Sequence, residues 1–213
     1  MRLQTRELTR MALYIALFIA LDWFSGNVLP TMPQGGSLGL STIVLIIASY
    51  DLGFTKAIVL NLVALAVSHL FDAPWFVSWP QYLLDYSIGY AAYSVARYFG
   101  NEKNMTFAVV VPNAIRFFSS AVAGVLYYGV PWLGSFLYQA GYIVPTMIVS
   151  MIVLPVLLPR LRDNLNSENI PRTIHPVLRT LGYVVSIALV IVILWSALDA
   201  YQALGWPGIF PEQ

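Results

Sequence analysis

The chain contains no cysteine. That excludes disulfides, thiolate metal sites and cysteine nucleophiles. Histidine is scarce too, since His69 and His175 are the two present and their separation gives no metal-ligand spacing. Charge is the third deficit: only 10% of the 213 residues are Asp, Glu, Lys or Arg. A soluble domain carries roughly 25%, because its surface must be solvated. No G-x-x-x-x-G-K-[ST], H-E-x-x-H or G-x-S-x-G occurs. No catalytic set is visible, and any ATP-driven step belongs to another chain. The net charge of +1 comes without a basic stripe, so nothing points to nucleic acid.

Apolar residues fill the space that charge leaves. They make up 59% of the chain, and the mean hydropathy is +0.73. A helix needs about 20 mostly apolar residues to cross a bilayer. Candidate spans lie at roughly 8–29, 38–52, 54–71, 81–99, 106–129, 134–158 and 177–200. The second and third are short and meet at Asp51-Leu52-Gly53, so their limits are the least defined. Arg2, Arg6 and Arg10 precede the first run as in a signal peptide. The run from Met11 to Val28 is too long for an h-region, however, and no A-x-A site follows it, so it reads as a retained span. The predicted class is an all-α integral membrane protein.

Basic residues fall in alternate connections. Arg2, Arg6, Arg10, Lys56, Arg97, Lys103, Arg160, Arg162, Arg172 and Arg179 share one side, while the other connections carry none. The positive-inside rule makes that side cytoplasmic, and seven spans put the C-terminus outside. The outer connections hold Trp75, Trp79 and Trp132, as membrane interfaces commonly do.

Polar residues within spans are costly and face a bundle interior or a ligand. In the sixth span Ser135, Gln139, Tyr142, Thr146 and Ser150 recur at helical steps on one stripe. The fifth carries Arg116, Ser120, Gly124 and Tyr128 at steps of four. The fourth places Gln81 and Asp85 on one face, beside Tyr82, Tyr86, Tyr90 and Tyr93. Serine, threonine and glutamine in such positions serve either helix-to-helix hydrogen bonds or a ligand. Asp85 needs protonation, a cation or a partner such as Arg116. Arg116 can otherwise snorkel or brace its neighbours. In the first span Ala12, Ala16 and Ala20 form a smooth strip, suited to packing within the bundle or against a partner helix.

Four stretches carry a family resemblance: MPQGGSLGLSTIVLIIASYDLGF at 32–54, PQYLLDY at 80–86, RFFSSAVAGVLYYG at 116–129 and YQAGYIVP at 138–145. In this order and spacing, across about residues 8–160, the chain resembles the S-components of energy-coupling factor (ECF) vitamin transporters, in particular the thiamine-binding ThiT/YuaJ type. The resemblance implies a six-helix bundle with a vitamin pocket near its outer face, built from the first outer loop and spans four to six. It implies docking through Ala12, Ala16 and Ala20 onto a membrane scaffold subunit joined to two ATPases. Asp85 matches the acidic residue that contacts thiamine, where a carboxylate can either accept from an aminopyrimidine or balance a thiazolium cation, and Tyr128 matches an aromatic residue that stacks on the ligand, where a cationic ring would be favoured. Gly35 and Gly36, flanked by Gln34 and Ser37, correspond to a lid loop. Three positions depart from the family pattern: Ser120 stands in place of His, Gln139 of Asn and Gly134 of Tyr. The span at 177–200 is an addition to the six-helix core.

The resulting expectation is a substrate-binding core over 1–160. A connector, an extra helix and a short outer tail follow over 161–213. The expected site comprises Gln34, Gly35, Gly36, Ser37, Gln81, Asp85, Tyr86, Ser120, Tyr128, Ser135, Gln139 and Tyr142, without metal or cofactor. The ligand is thiamine or a related heterocycle, taken up across a prokaryotic plasma membrane, and the chain is not an enzyme. The alternative is a stand-alone ion-coupled secondary transporter, which inverted repeats would favour.

Overall fold

The computed structural model describes residues 4–32, 36–101, 104–165 and 170–203. Seven helical segments account for most of them. They are α1 (Thr5–Asn27), α2 (Ser41–Leu52), α3 (Phe54–Ser68), a composite α4 over 79–99, α5 (Thr106–Tyr128), α6 (Trp132–Leu161) and α7 (Pro176–Ala203). The predicted spans correspond to these one for one. The third stops at Ser68, whereas the sixth begins at Trp132 and runs on to Leu161. By length and composition α1, α5, α6 and α7 can each cross a membrane.

The two short helices have a physical reason. Twelve residues of helix rise only about 18 Å, yet every residue of α2 is buried. Its all-round apolar sequence suits a helix surrounded by protein rather than lipid. It packs against α1, α3, α4 and α6, and Leu45, Ile46 and Tyr50 lie fully inside the core. The chain reverses into α3 at Gly53, whose φ of 78° is open to glycine at little cost.

α1 lies on the outside of this arrangement and buries only Met11, Phe18 and Ser25, one thin strip at seven-residue intervals. Two ion pairs fix its N-terminal half. Arg10 reaches Asp51 at 2.6 Å, with the Tyr14 hydroxyl donating to the same carboxylate at 3.2 Å, and Lys56 pairs with Glu7. Ala12, Ala16 and Ala20 are all exposed. The small-residue strip is therefore not used for packing within the bundle.

α4 is the irregular helix. After Trp79–Tyr82 it widens into a π turn at Leu83–Ser87, resumes over Ile88–Ala92, tightens to a 3₁₀ turn at Tyr93–Val95 and ends with Ala96–Phe99. A π turn breaks the regular carbonyl pairing, and such turns gather at functional sites. Here α5 supplies donors: Ser119 Oγ donates to the Leu84 carbonyl, and Ser120 Oγ to the Asp85 carbonyl at 3.0 Å. The distorted turn is thereby held against α5 with Asp85 at its centre.

α7 packs along α5 and α6 and touches the end of α4. Phe107 meets Tyr183 edge to face at 4.8 Å, and Leu189 and Ser196 are buried. Much of the remaining α7 surface is exposed aliphatic side chain, including Leu181, Ile187, Ile191 and Leu194, as suits a helix facing lipid.

Candidate ligand-binding site

A chamber of about 700 Å³ opens between the helix ends. Its walls come from α1 (Asp22, Gly26), the 31–37 loop (Thr31, Met32, Gly36, Ser37), the 69–75 segment, α4 (Asp85, Tyr86, Tyr90), α5 and α6. The volume is in the range of drug-sized ligand sites. Of the predicted residues, Gly36, Ser37, Asp85, Tyr86, Ser120, Tyr128, Ser135, Gln139 and Tyr142 line it. Gln34 and Gly35 lie outside the described residues.

Gln81 has a different position from the one the sequence implied. It is fully buried and absent from the chamber wall. Its Nε2 donates to Asp85 Oδ2 at 3.1 Å, and its Oε1 accepts from the Val77 N–H at 3.1 Å. Being one turn below Asp85 on the same face, it orients that carboxylate from behind.

Arg116 also lines the chamber, but among the described residues it forms no ion pair with Asp85. Its guanidinium lies 5.0 Å from the ring centre of Tyr90 and 5.6 Å from that of Tyr142, and its Nη1 donates to the Tyr93 hydroxyl at 3.4 Å. Two aromatic faces thus hold the cation by cation–π attraction. Tyr93 in turn donates to Asn113 Oδ1 at 2.8 Å. Asp85 is left available to the chamber.

The α6 stripe divides into two parts. Gln139 and Tyr142 face the chamber and are joined, with the Tyr142 hydroxyl donating to Gln139 Oε1. Ser135 lines it while donating to the Ala121 carbonyl of α5 at 3.0 Å. Thr146 is structural: it accepts from the Gly39 N–H at 2.9 Å and donates to the Tyr142 carbonyl at 2.7 Å.

Tyrosine hydroxyls fasten two loops over the chamber. The Gly36 N–H donates to Tyr138 at 3.3 Å. Trp75 is held at both backbone groups, its N–H donating to Tyr86 at 3.1 Å and its carbonyl accepting from Tyr128 at 3.4 Å.

Sequence reasoning missed Asp22, His69, Asp72, Trp75, Tyr90 and Tyr138 as chamber residues. Asp22 had a readable signal, because it is a carboxylate inside a predicted span. Tyr138 also had one, being one helical turn before Tyr142. His69, Asp72 and Trp75 belong to a connecting segment that only the fold brings over the chamber. The lining holds three carboxyls, Asp22, Asp72 and Asp85, against one guanidinium. Together with Tyr86, Tyr90, Tyr128, Tyr138 and Tyr142 it is an acidic, aromatic cavity, chemistry suited to an organic cation.

A multi-pass helical bundle with a polar, aromatic-lined chamber between its helix ends has the architecture of a solute-binding membrane transport protein. The profile of the family described as Thiamine transporter protein (Thia_YuaJ) matches residues 8–166, and the chain belongs to this family of ECF S-components. The thiamine transporter ThiT of Bacillus subtilis (strain 168) is 29% identical over 183 aligned residues, covering 72% of this chain and 92% of that protein. A solved structure of ThiT from Listeria monocytogenes superposes with a TM-score of 0.54 at 16% identity. It covers 78% of this chain and all of that one, which establishes the fold. Helix α7 begins beyond the matched residues 8–166.

Proposed function

We propose that this protein is the substrate-binding subunit of an ECF-type importer, capturing thiamine or a closely related cationic heterocycle while partner subunits hydrolyse ATP. The observation that carries the reading is the chamber itself, in a chain of this family. Asp85 faces an aromatic-lined cavity and forms no ion pair among the described residues, so an entering thiazolium can neutralise it. Tyr128 and Tyr86 offer stacking surfaces beside it. Ser120, Gly134 and Gln139, the three departures from the family pattern, all line the chamber. They adjust its shape while leaving the acidic and aromatic character in place.

The core over 1–160 binds the ligand, and 161–213 adds a connector and α7. The N-terminus is cytoplasmic and the tail after α7 lies outside, on the strength of the basic-residue asymmetry. Ala12, Ala16 and Ala20 form the face that meets the scaffold subunit, a role supported by their exposure. Replacing Ala16 with Phe is expected to leave ligand affinity unchanged. It should abolish co-purification with a co-expressed scaffold and ATPase complex. Normal complex formation by this variant would remove the strip from the interface.

The function is tested by titrating thiamine into the detergent-purified chain, by calorimetry or by tryptophan quenching. Trp75 in the chamber wall is a built-in reporter. Saturable binding at sub-micromolar ligand is the expected result. A folded chain that ignores thiamine but binds another vitamin from a panel would reassign the substrate. Ion-driven uptake by the chain alone in liposomes would replace the importer reading.

A further inference from the structure

Helix α3 is shorter than a membrane is thick. Its 15 residues rise about 22 Å, against a hydrocarbon core of roughly 30 Å. α1, with 23 residues, rises about 35 Å. The two helices are in contact and start level with each other, since Lys56 near the beginning of α3 pairs with Glu7 in the first turn of α1. At the far end Ser68, Phe71 and Asp72 share a cavity wall with Ile19, Asp22, Trp23 and Asn27. The chain therefore leaves α3 beside the last turns of α1, where the outward side chains are Trp23 and Phe24. It enters the connection to α4 before it has cleared the bilayer.

The side chains of that connection suit such a depth. Leu70, Phe71, Trp75, Phe76, Val77 and Trp79 are all exposed, Leu70 at 80% and Trp79 at 72%. Leu70 continues the exposed stripe of α3 through Val59, Leu62, Val63 and Ala66, at steps of three and four. From Ala57 to Ala96 the sequence has no Lys or Arg, and its only carboxylates, Asp72 and Asp85, line the chamber. A connection in water has no reason to present six large apolar groups and turn its one carboxylate inward.

Irregular backbone is tolerated at membrane depth only where protein or a water-filled cavity satisfies it. Here protein supplies partners on the inner side. The Phe71 and Asp72 N–H groups donate to the Ser68 carbonyl at 2.9 and 3.1 Å. Tyr86 and Tyr128 take both backbone groups of Trp75, and Gln81 accepts from the Val77 N–H.

We infer that the 70–79 connection is a re-entrant wall of the chamber, lying in the acyl–headgroup boundary of the outer leaflet. Lipid is the partner of its outward apolar side chains. Its inner side holds Asp72 and the Trp75 backbone against the chamber, so a single pass of chain separates ligand from bilayer here. The inference holds whichever ligand the chamber takes.

The absence of cysteine allows a direct test. Leu70→Cys and Phe76→Cys are made singly in the full chain, spin-labelled and reconstituted into phosphatidylcholine nanodiscs. Collision rates are then measured with oxygen, which concentrates in lipid, and with a water-soluble nickel chelate. Ile191→Cys on the exposed face of α7 serves as the lipid control and Thr5→Cys as the water control. Both labels are expected to favour oxygen, with ratios on the Ile191 side of the range. Ratios matching Thr5 would place the connection in water and overturn the inference. Exclusion of both reagents would overturn it too, because that marks a surface covered by protein. If a labelled variant fails to fold, brominated lipid gives the same decision on the native residue. The emission lost in Trp79→Phe should be strongly quenched in wild-type protein, and an unquenched Trp79 would overturn the assignment.

Discussion

Replacing Asp85 with Asn is expected to lower the affinity for a cationic ligand about 100-fold, or ~2.7 kcal/mol. The variant is nearly isosteric, and the Asn Oδ1 can still accept from Gln81 Nε2, which holds the native carboxylate at 3.1 Å. The backbone at this turn is also secured independently, by Ser119 and Ser120 through the Leu84 and Asp85 carbonyls. Folding should therefore survive, and the loss should report charge alone. A cation leaving water needs a compensating anion in the cavity, and Arg116, occupied by two tyrosine rings, adds charge of the wrong sign. Titration of thiamine against a neutral analogue checks the point. The neutral compound should bind the two proteins within a few fold of each other. An unchanged thiamine affinity in Asp85→Asn would take Asp85 out of the site.

The second large effect concerns the loop over the chamber. A Cβ at Gly36 would stand 2.7 Å from the Tyr142 Cδ1, well inside contact distance. The Tyr142 ring cannot retreat freely, because it is 9% exposed and its hydroxyl is bound to Gln139. Gly36→Val must then lift the backbone at Gly36 and Ser37 away, losing the Gly36-to-Tyr138 hydrogen bond with it. Overpacking of this kind costs roughly 1–3 kcal/mol. Since the strain is relieved by opening the loop, it should appear as ligand escape. Stopped-flow quenching is expected to give a dissociation rate raised by about tenfold or more, with a thermal unfolding midpoint close to the wild-type value. A lower midpoint with an unchanged dissociation rate would mean that the loop is structural and takes no part in retaining ligand.

The helices were legible because each is a long apolar run in a chain poor in charge, and lipid permits few other backbone arrangements. The stripes on α4, α5 and α6 were legible for a related reason. Residues at steps of three and four must share a face, so Asp85, Ser120, Tyr128, Gln139 and Tyr142 could be placed on common surfaces before any packing was known. The family motifs then linked those surfaces to one site.

Other features depended on packing between helices. The sequence placed Gln81 beside Asp85, but that its amide bridges the carboxylate and the Val77 N–H instead of lining the chamber emerged only from the fold. Arg116 was open to pairing with Asp85 until Tyr90 and Tyr142 were seen to enclose it. The exposure of Ala12, Ala16 and Ala20 followed only once α1 was found to bury the opposite strip through Met11 and Phe18. His69, Asp72 and Trp75 carry no periodic signal, because a connecting segment has none to give. By itself the sequence determined what lipid and helical periodicity dictate locally: the number of helices, their approximate limits and the faces bearing polar groups. The tertiary structure decided which of those groups meet one another and which are left for a ligand, because that depends on helix rotation and on contacts between segments far apart in the chain.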